Sequence, residues 1–350
     1  MRLVQIVPRL PPPAEGVGSY ALALAEALRS RFGIATSFLA SDPPEGDGWE
    51  VDGFGAEAIP RRGRARAIPE LLEAAEAEAV LLHYANYGYQ RRGCPLPLPR
   101  AVRRFKAGAS GRRLVTVFHE VFATGPPWRS SFWTAPLQRA IAGAVARASD
   151  AAVTSLDLYV RRLGRAAAPA RTVVTPVFSN LGEPEGLPPL RKRAPRMVVF
   201  GGRGARTRAY GELRPVLAAA CRDLGIGEII DVGPPLDGST EVDGVPVRTL
   251  GVLPPGEAGA LLAGSLAGFV AYPSFFLPKS SIFAAYCAHG VLPVCAWPRP
   301  AEDGTVRLGE HYWRPGTEGD PERIAAAARA WYEGHSLARQ AETFRDLLLR

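Results

Sequence analysis

The chain has 350 residues, 47% hydrophobic and 22% charged, which is globular composition with room for two domains. No apolar run approaches bilayer length, and the first residues form a strand pattern instead of a secretory signal, so a cytoplasmic location is expected. The four cysteines (Cys94, Cys221, Cys287, Cys295) show no CxxC spacing, which argues for reduced thiols and against a metal cluster or disulfide framework.

The net charge is +8, and the first half carries all of it: residues 1–175 hold 23 Lys and Arg against 15 Asp and Glu. The surplus gathers in Arg61-Arg62-Gly63-Arg64-Ala65-Arg66, Arg103-Arg104-Phe105-Lys106 and Arg112-Arg113. Such a face is either solvated surface or an attraction for anionic lipid or an anionic acceptor. Nucleic acid is not expected as a partner, because no recognised binding module accompanies the charge.

Short apolar runs predict strands at 3–7, 36–39, 79–82, 114–118, 151–154 and 172–175, with helices at 20–29, 67–77 and 135–147 between them. The second half predicts strands at 197–200, 229–232, 245–250, 268–271 and 292–296, with helices near 210–224, 256–262, 280–288 and 321–331. This alternation implies parallel sheets covered on both faces. A Pro- and Gly-rich stretch at 181–195 reads as a linker. The fold class is therefore α/β, with two Rossmann-like parallel-sheet domains facing across a cleft. The expected divisions are an N-terminal Rossmann-like domain over 1–180, a C-terminal Rossmann-like domain over 196–325, and C-terminal helices over 326–350.

In the first half, Gly16-Val17-Gly18-Ser19-Tyr20-Ala21 reads as GxGxxA, with Asp42 after the next strand. Residues 8–15 separate the strand from the first glycine, and four of them are proline, whereas a dinucleotide loop turns directly from strand into helix. Gly16, Val17, Gly18 and Ser19 are read as a flexible cleft loop whose backbone approaches a ligand. His83 and then Tyr84 and Tyr87 follow the strand at 79–82, where polar aromatic rings suit sugar stacking as readily as loop packing. His119-Glu120 ends the strand at 114–118, where active sites collect; imidazole can shuttle a proton, and a carboxylate can orient or stabilise a cation. Trp128, Arg129 and Trp133 form an aromatic loop that suits either acceptor recognition or anchoring of the next helix.

The richest stretch is Val198-Val199-Phe200-Gly201-Gly202-Arg203-Gly204-Ala205-Arg206-Thr207-Arg208. It runs from a strand through a glycine turn to three arginines at a helix start. Arg203 and Arg208 beside helix amides suit a diphosphate. Lys279, Ser280 and Ser281 offer a second anion site in the same half, or plain N-capping by serine.

These residues resemble the GT-B glycosyltransferases, especially retaining family 4. The similarity lies in Gly16 to Leu28, in Phe118-His119-Glu120, in Gly202-Arg203 with Arg208, and in Pro273-Ser274, Ala288-His289-Gly290 and Pro293-Val294. The family's two donor-loop glutamates fall here at Leu277 and Ala285. The resemblance implies metal-independent, retaining transfer from a nucleotide diphosphate sugar, with no cofactor and no metal. The donor diphosphate would lie on Gly202, Arg203, Arg208, Lys279, Ser280 and Ser281. His119 and Glu120 would act at the reacting centre. A sugar, lipid-linked or small-molecule acceptor would meet His83, Tyr84, Tyr87, Trp128, Arg129 and Trp133. A C-terminal helix would return to the N-terminal domain, which could touch the inner face of an anionic membrane. The alternatives are a catalytically degenerate GT-B scaffold subunit and a nicotinamide-dependent oxidoreductase.

Overall fold

The computed structural model describes residues 1–11, 16–43, 48–164, 167–236, 240–297 and 305–349. The chain divides into two compact units, Met1–Pro176 with Leu337–Arg350, and Val177–Ser336.

Unit 1 runs β1 (Arg2–Val7), α1 (Gly16–Phe32), β2 (Ala35–Ala40), β3 (Trp49–Val51), β4 (Phe54–Ala58), α2 (Arg64–Ala74), β5 (Ala79–Tyr84), α3 (Asn86–Tyr89), α4 (Pro97–Gly108), β6 (Arg113–Phe118), α5 (Ser130–Ala148), β7 (Ala151–Thr154), α6 (Asp157–Leu163) and β8 (Arg171–Val174). Unit 2 runs β9 (Ala194–Phe200), α7 (Arg203–Tyr210), α8 (Arg214–Asp223), β10 (Glu228–Val232), β11 (Glu241–Val242), β12 (Val245–Gly251), α9 (Pro255–Ala263), β13 (Ser265–Val270), α10 (Ser281–Ala288), β14 (Leu292–Cys295) and α11 (Pro321–Glu333). The last helix, α12 (Leu337–Leu349), belongs to unit 1, where the Tyr20 hydroxyl of α1 donates to Gln340 Oε1 at 2.7 Å.

The unit 1 sheet has the order β3-β4-β2-β1-β5-β6-β7-β8, and unit 2 has β11-β12-β10-β9-β13-β14. Every pairing is parallel except the hairpins β3–β4 and β11–β12. Chain order reverses between β1 and β5 in one sheet and between β9 and β13 in the other. Open α/β sheets bind ligands at the carboxyl ends beside such a reversal. The central strands are apolar along their length because helices cover both faces; all six residues of β5 are buried.

Several expectations need correcting. Gly16 to Ser19 is no loop; it is the first turn of α1, and Gly18 is buried there. A first helical turn needs no intrahelical acceptors for its N–H groups, so two glycines there cost little. Part of the expected approach loop, residues 12–15, lies outside the described residues. The single helix expected near 210–224 is two, broken where Gly211 adopts φ −101° and ψ −101°. Residues 181–195 lie inside unit 2 and are tied to it at several points, although most are exposed. Leu190 is buried in its core, Arg193 donates to the His289 carbonyl at 2.9 Å, and Tyr332 donates its hydroxyl to Glu183. The four cysteines are free; Cys94 is only half-buried.

Candidate functional site

In unit 2 the carboxyl ends of β9 and β13 frame a cavity of about 230 Å³. Arg208, Lys279, Ser280 and Ser281 line it with Tyr272 and Ile282. Gly201 makes the turn into α7 with φ +143°, a backbone state that favours glycine. Gly202 follows as the N-cap, and Arg203 is the first helical residue. Arg203 is exposed and does not line the cavity. Five residues advance a helix by about 140°, so Arg203 and Arg208 leave different faces of α7. The Arg208 guanidinium donates to the Ala271 carbonyl at 3.2 and 3.4 Å, and no described carboxylate pairs with it.

Arg206, the third arginine of the motif, is wholly buried. It grips both Asp231 oxygens and the Pro234 carbonyl, while the Tyr210 hydroxyl donates to Asp231 at 3.0 Å. Arg206 therefore anchors α7, with its guanidinium committed to Asp231 and the Pro234 carbonyl.

Across the cavity, Pro273 to Ser280 carries a 3-10 turn, Ser274–Lys279, ahead of α10. Ser280 is the N-cap of α10, and its hydroxyl accepts from the Phe283 amide at 3.2 Å. Its backbone and Ser281 remain at the cavity wall. Lys279 Nζ lies 5.4 Å from the Phe276 ring centroid. Two cationic side chains and a helix N-terminus thus converge at the chain reversal of the sheet, a setting that favours an anion. Leu277 and Ala285, the positions matching the resembled family's glutamates, are wholly buried.

In unit 1 the chain reversal carries a buried polar chain. His83, on β5, places Nε2 2.7 Å from Gln5 Oε1 on β1 and Nδ1 3.1 Å from His119 Nε2 at the end of β6. With the Gln5 oxygen facing it, His83 Nε2 holds the proton and Nδ1 accepts from His119. Burial, and then His119, hold the His83 imidazole well below the ordinary histidine range. Tyr20 packs edge-on against both rings. His119 and Glu120 are half-exposed, with their backbone amides directed to the Tyr84 carbonyl.

His83 and Tyr84 were expected at the acceptor, but both are wholly buried. A central strand covered on both faces leaves neither alternation exposed. Tyr87 is partly exposed, and its hydroxyl accepts from Gln138 Nε2 at 3.2 Å. Trp128, Arg129 and Trp133 lie at the start of α5 and are exposed; the Trp133 indole donates to the Pro127 carbonyl at 3.0 Å. Asp42, the acidic residue of the dinucleotide reading, is ion-paired to Arg9. Gln5 and Tyr20 were missed, although an isolated glutamine inside an apolar strand is a visible signal.

The basic segments also resolve. Lys106 is held by Asp150, Arg112 by Glu73 and Arg66 by Glu70. Arg61, Arg62, Arg100, Arg103 and Arg104 make no hydrogen bond or ion pair among the described residues. Arg100, Arg103 and Arg104 rim an open apolar groove of about 810 Å³ between α4 and α5. No helix among the described residues is long and apolar enough to cross a membrane.

No family model matches the chain, and no curated protein does. Solved structures do. The chain is similar to WaaG, a glycosyltransferase involved in lipopolysaccharide biosynthesis, at 13% identity and a TM-score of 0.59, over 99% of each chain. An α-glucosyltransferase in complex with UDP and DNA gives 10% identity and a TM-score of 0.59 over 100% of each chain. A trehalose-6-phosphate protein from E. coli, bound with UDP-2-fluoro glucose, gives 12% and 0.58, over 100% of this chain and 99% of that one. The likeness spans both units, and the fold is that of the GT-B glycosyltransferases.

Proposed function

We propose that the protein transfers a sugar from a nucleoside diphosphate sugar to an acceptor hydroxyl. The observation that carries this reading is the convergence of Arg208, Lys279 and the α10 N-terminus on one cavity at the carboxyl ends of β9 and β13. Two similar structures hold UDP or a UDP-sugar analogue, which supports a nucleotide-sugar donor.

In this reading the diphosphate lies against Arg208, Lys279 and the Ser280 and Ser281 amides, with Gly202 and Arg203 at its outer edge. The bond from the anomeric carbon to the phosphate oxygen breaks, and its electron pair stays on the diphosphate. The acceptor oxygen bonds to the same carbon and passes its proton to the departing diphosphate oxygen. Fixed cations and amides stabilise the charge that grows on the leaving group. The reading is metal-independent and needs no cofactor; retention of configuration is part of it by family resemblance. His119 contacts the transferring sugar, with Glu120 beside it. His83 and Gln5 act as positioning residues behind His119. The acceptor is a sugar, a lipid-linked sugar or a small molecule, and Tyr87, Trp128, Arg129 and Trp133 are its candidate contacts.

A second reading has its own observation. Leu277 and Ala285 stand where the resembled family has carboxylates, and both are core positions. A degenerate scaffold subunit would account for that loss.

A thermal-shift screen against UDP, GDP, dTDP, ADP, their sugars and NADH separates the readings. Stabilisation by one nucleoside diphosphate, lost in Arg208→Gln with Lys279→Ala, supports the transferase. No shift with any nucleotide moves the assignment to the scaffold. A shift with NADH alone restores the oxidoreductase.

A further inference from the structure

Unit 1 holds a second, smaller cavity of about 150 Å³, at the carboxyl ends of β2 and β4. Ser41, Arg61 and Arg64 line it, with Tyr89 and Leu98 behind them. Arg64 is the first residue of α2. Its guanidinium donates to three neutral carbonyls: Pro60 at 3.2 Å, Tyr89 at 2.9 Å and Ser41 at 3.0 Å. A guanidinium carries five N–H groups, so two remain for a ligand. Among the described residues no carboxylate forms an ion pair with Arg64, and Arg61 beside it makes no hydrogen bond or ion pair. The nearby carboxylate, Asp42, is already paired with Arg9. Burial, and then the Arg61 charge, pull the Arg64 guanidinium below its ordinary range.

The second observation is independent of charge. Ser41 is 4% exposed, and its hydroxyl has no hydrogen-bond partner among the described residues. A buried hydroxyl left unpaired is costly and rare. One ligand oxygen in the cavity would satisfy it, and the same ligand's charge would neutralise two arginines that otherwise repel. The space admits a group the size of a phosphate.

We propose that the Ser41–Arg61–Arg64 cavity binds a phosphate group, and that this phosphate belongs to the acceptor. The second clause rests on the transferase reading; the affinity for phosphate does not.

The test is calorimetric titration of the full chain with inorganic phosphate, comparing wild type, Ser41→Ala, Arg61→Gln and Arg208→Gln. Arg61 is exposed, so its replacement should leave the fold intact. Phosphate binding is expected to weaken about tenfold in Arg61→Gln and measurably in Ser41→Ala, because each removes a hydrogen bond to an anion. A phosphate isotherm unchanged in both variants, or lost only in Arg208→Gln, overturns the proposal. A parallel measurement of adsorption to phosphatidic acid vesicles separates two sources of the group. Arg61-dependent binding of free phosphate points to a soluble ester. Arg61-dependent adsorption without it points to a lipid headgroup, and either supports a phosphate site. Nucleotide binding unaffected by Arg61→Gln shows the two cavities are separate. Absence of nucleotide binding, with Arg61-dependent phosphate binding intact, removes the transferase reading and leaves the phosphate site.

Discussion

His83 Nδ1 lies 3.1 Å from His119 Nε2, and the two rings stack with an interplanar angle of 18°. One imidazole is wholly buried and the other half-exposed. The buried ring fixes the tautomer and orientation of the outer one, through a chain that ends on Gln5. A core histidine and the candidate site histidine His119 are thus parts of one hydrogen-bonded chain.

That pairing makes a pH prediction. The native His83 value lies well below the ordinary 6.5. Below pH 6.5 the unfolded chain takes up a proton that the native chain refuses. The stability contributed by neutral His83 is therefore complete above about pH 6.5 and is lost as pH falls toward the native value. Urea unfolding should show stability falling between pH 7.5 and 5, with a smaller fall in His83→Asn. His289 and His311 are also lowered by burial, and His335 is lowered to about 4, so some slope survives. A variant that keeps the full wild-type slope would remove His83 as a contributor.

Arg208 and Arg203 should separate in binding. Arg208 lines the cavity and Arg203 does not. Arg208→Gln should weaken nucleoside diphosphate binding at least tenfold, the scale of one charge-assisted hydrogen bond. Arg203→Gln should weaken it less. Titration calorimetry reads both, and a larger loss in Arg203→Gln would move the diphosphate out to the α7 N-terminus.

The buried pair Arg206–Asp231 makes a stability prediction. Asp231→Ala leaves a guanidinium buried without a counter-charge, which costs about 3–5 kcal/mol. Replacing both, as Arg206→Met with Asp231→Leu, should recover most of that loss. Urea titration with circular dichroism measures it. If Asp231→Ala unfolds no earlier than wild type, the pair does not hold α7.

Much of this was legible in the sequence. β1, β2, β5 to β7 and the parallel core of unit 2 stand out as apolar runs because burial removes polar residues, while the edge strand β8 stands out by its β-branched run Thr172-Val173-Val174. The strands missed, β3, β4 and β11, are short. They surround two Asp-Gly turns, Asp52-Gly53 and Asp243-Gly244, all four with positive φ. Asp-Gly between short runs is the hairpin signal that could have found them. The donor-side anion cluster was half legible. Lys279, Ser280 and Ser281 meet Arg208, but chain spacing alone could not show that Arg206 turns inward while Arg203 stays exposed. The pairing of Arg206 with Asp231 on β10 decides that. His83 was misread because the sequence shows a polar residue at a strand end, whereas β5 is covered along its whole length and the partner that satisfies the buried ring, Gln5, lies far away in the chain.

The exposed aromatics give the last prediction. Trp128 is 83% exposed and Trp133 73%, with Phe132 and Leu137 also exposed on α5. Tryptophan is amphipathic and suits the interface between water and lipid. Arg100, Arg103 and Arg104 have no counter-charge among the described residues and rim the groove that Leu137 lines. Near an anionic surface each basic residue contributes about 1 kcal/mol, a term that salt screens. Adsorption to phosphatidylglycerol vesicles is expected at low salt and should fall in Trp128→Ser with Trp133→Ser. It should fall again in Arg103→Gln with Arg104→Gln. The melting temperature should stay within a degree or two, because surface changes of this kind are typically within about 0.5 kcal/mol. Wild-type protein that stays in solution beside phosphatidylglycerol vesicles would end the membrane reading and leave Trp128 and Trp133 to the acceptor.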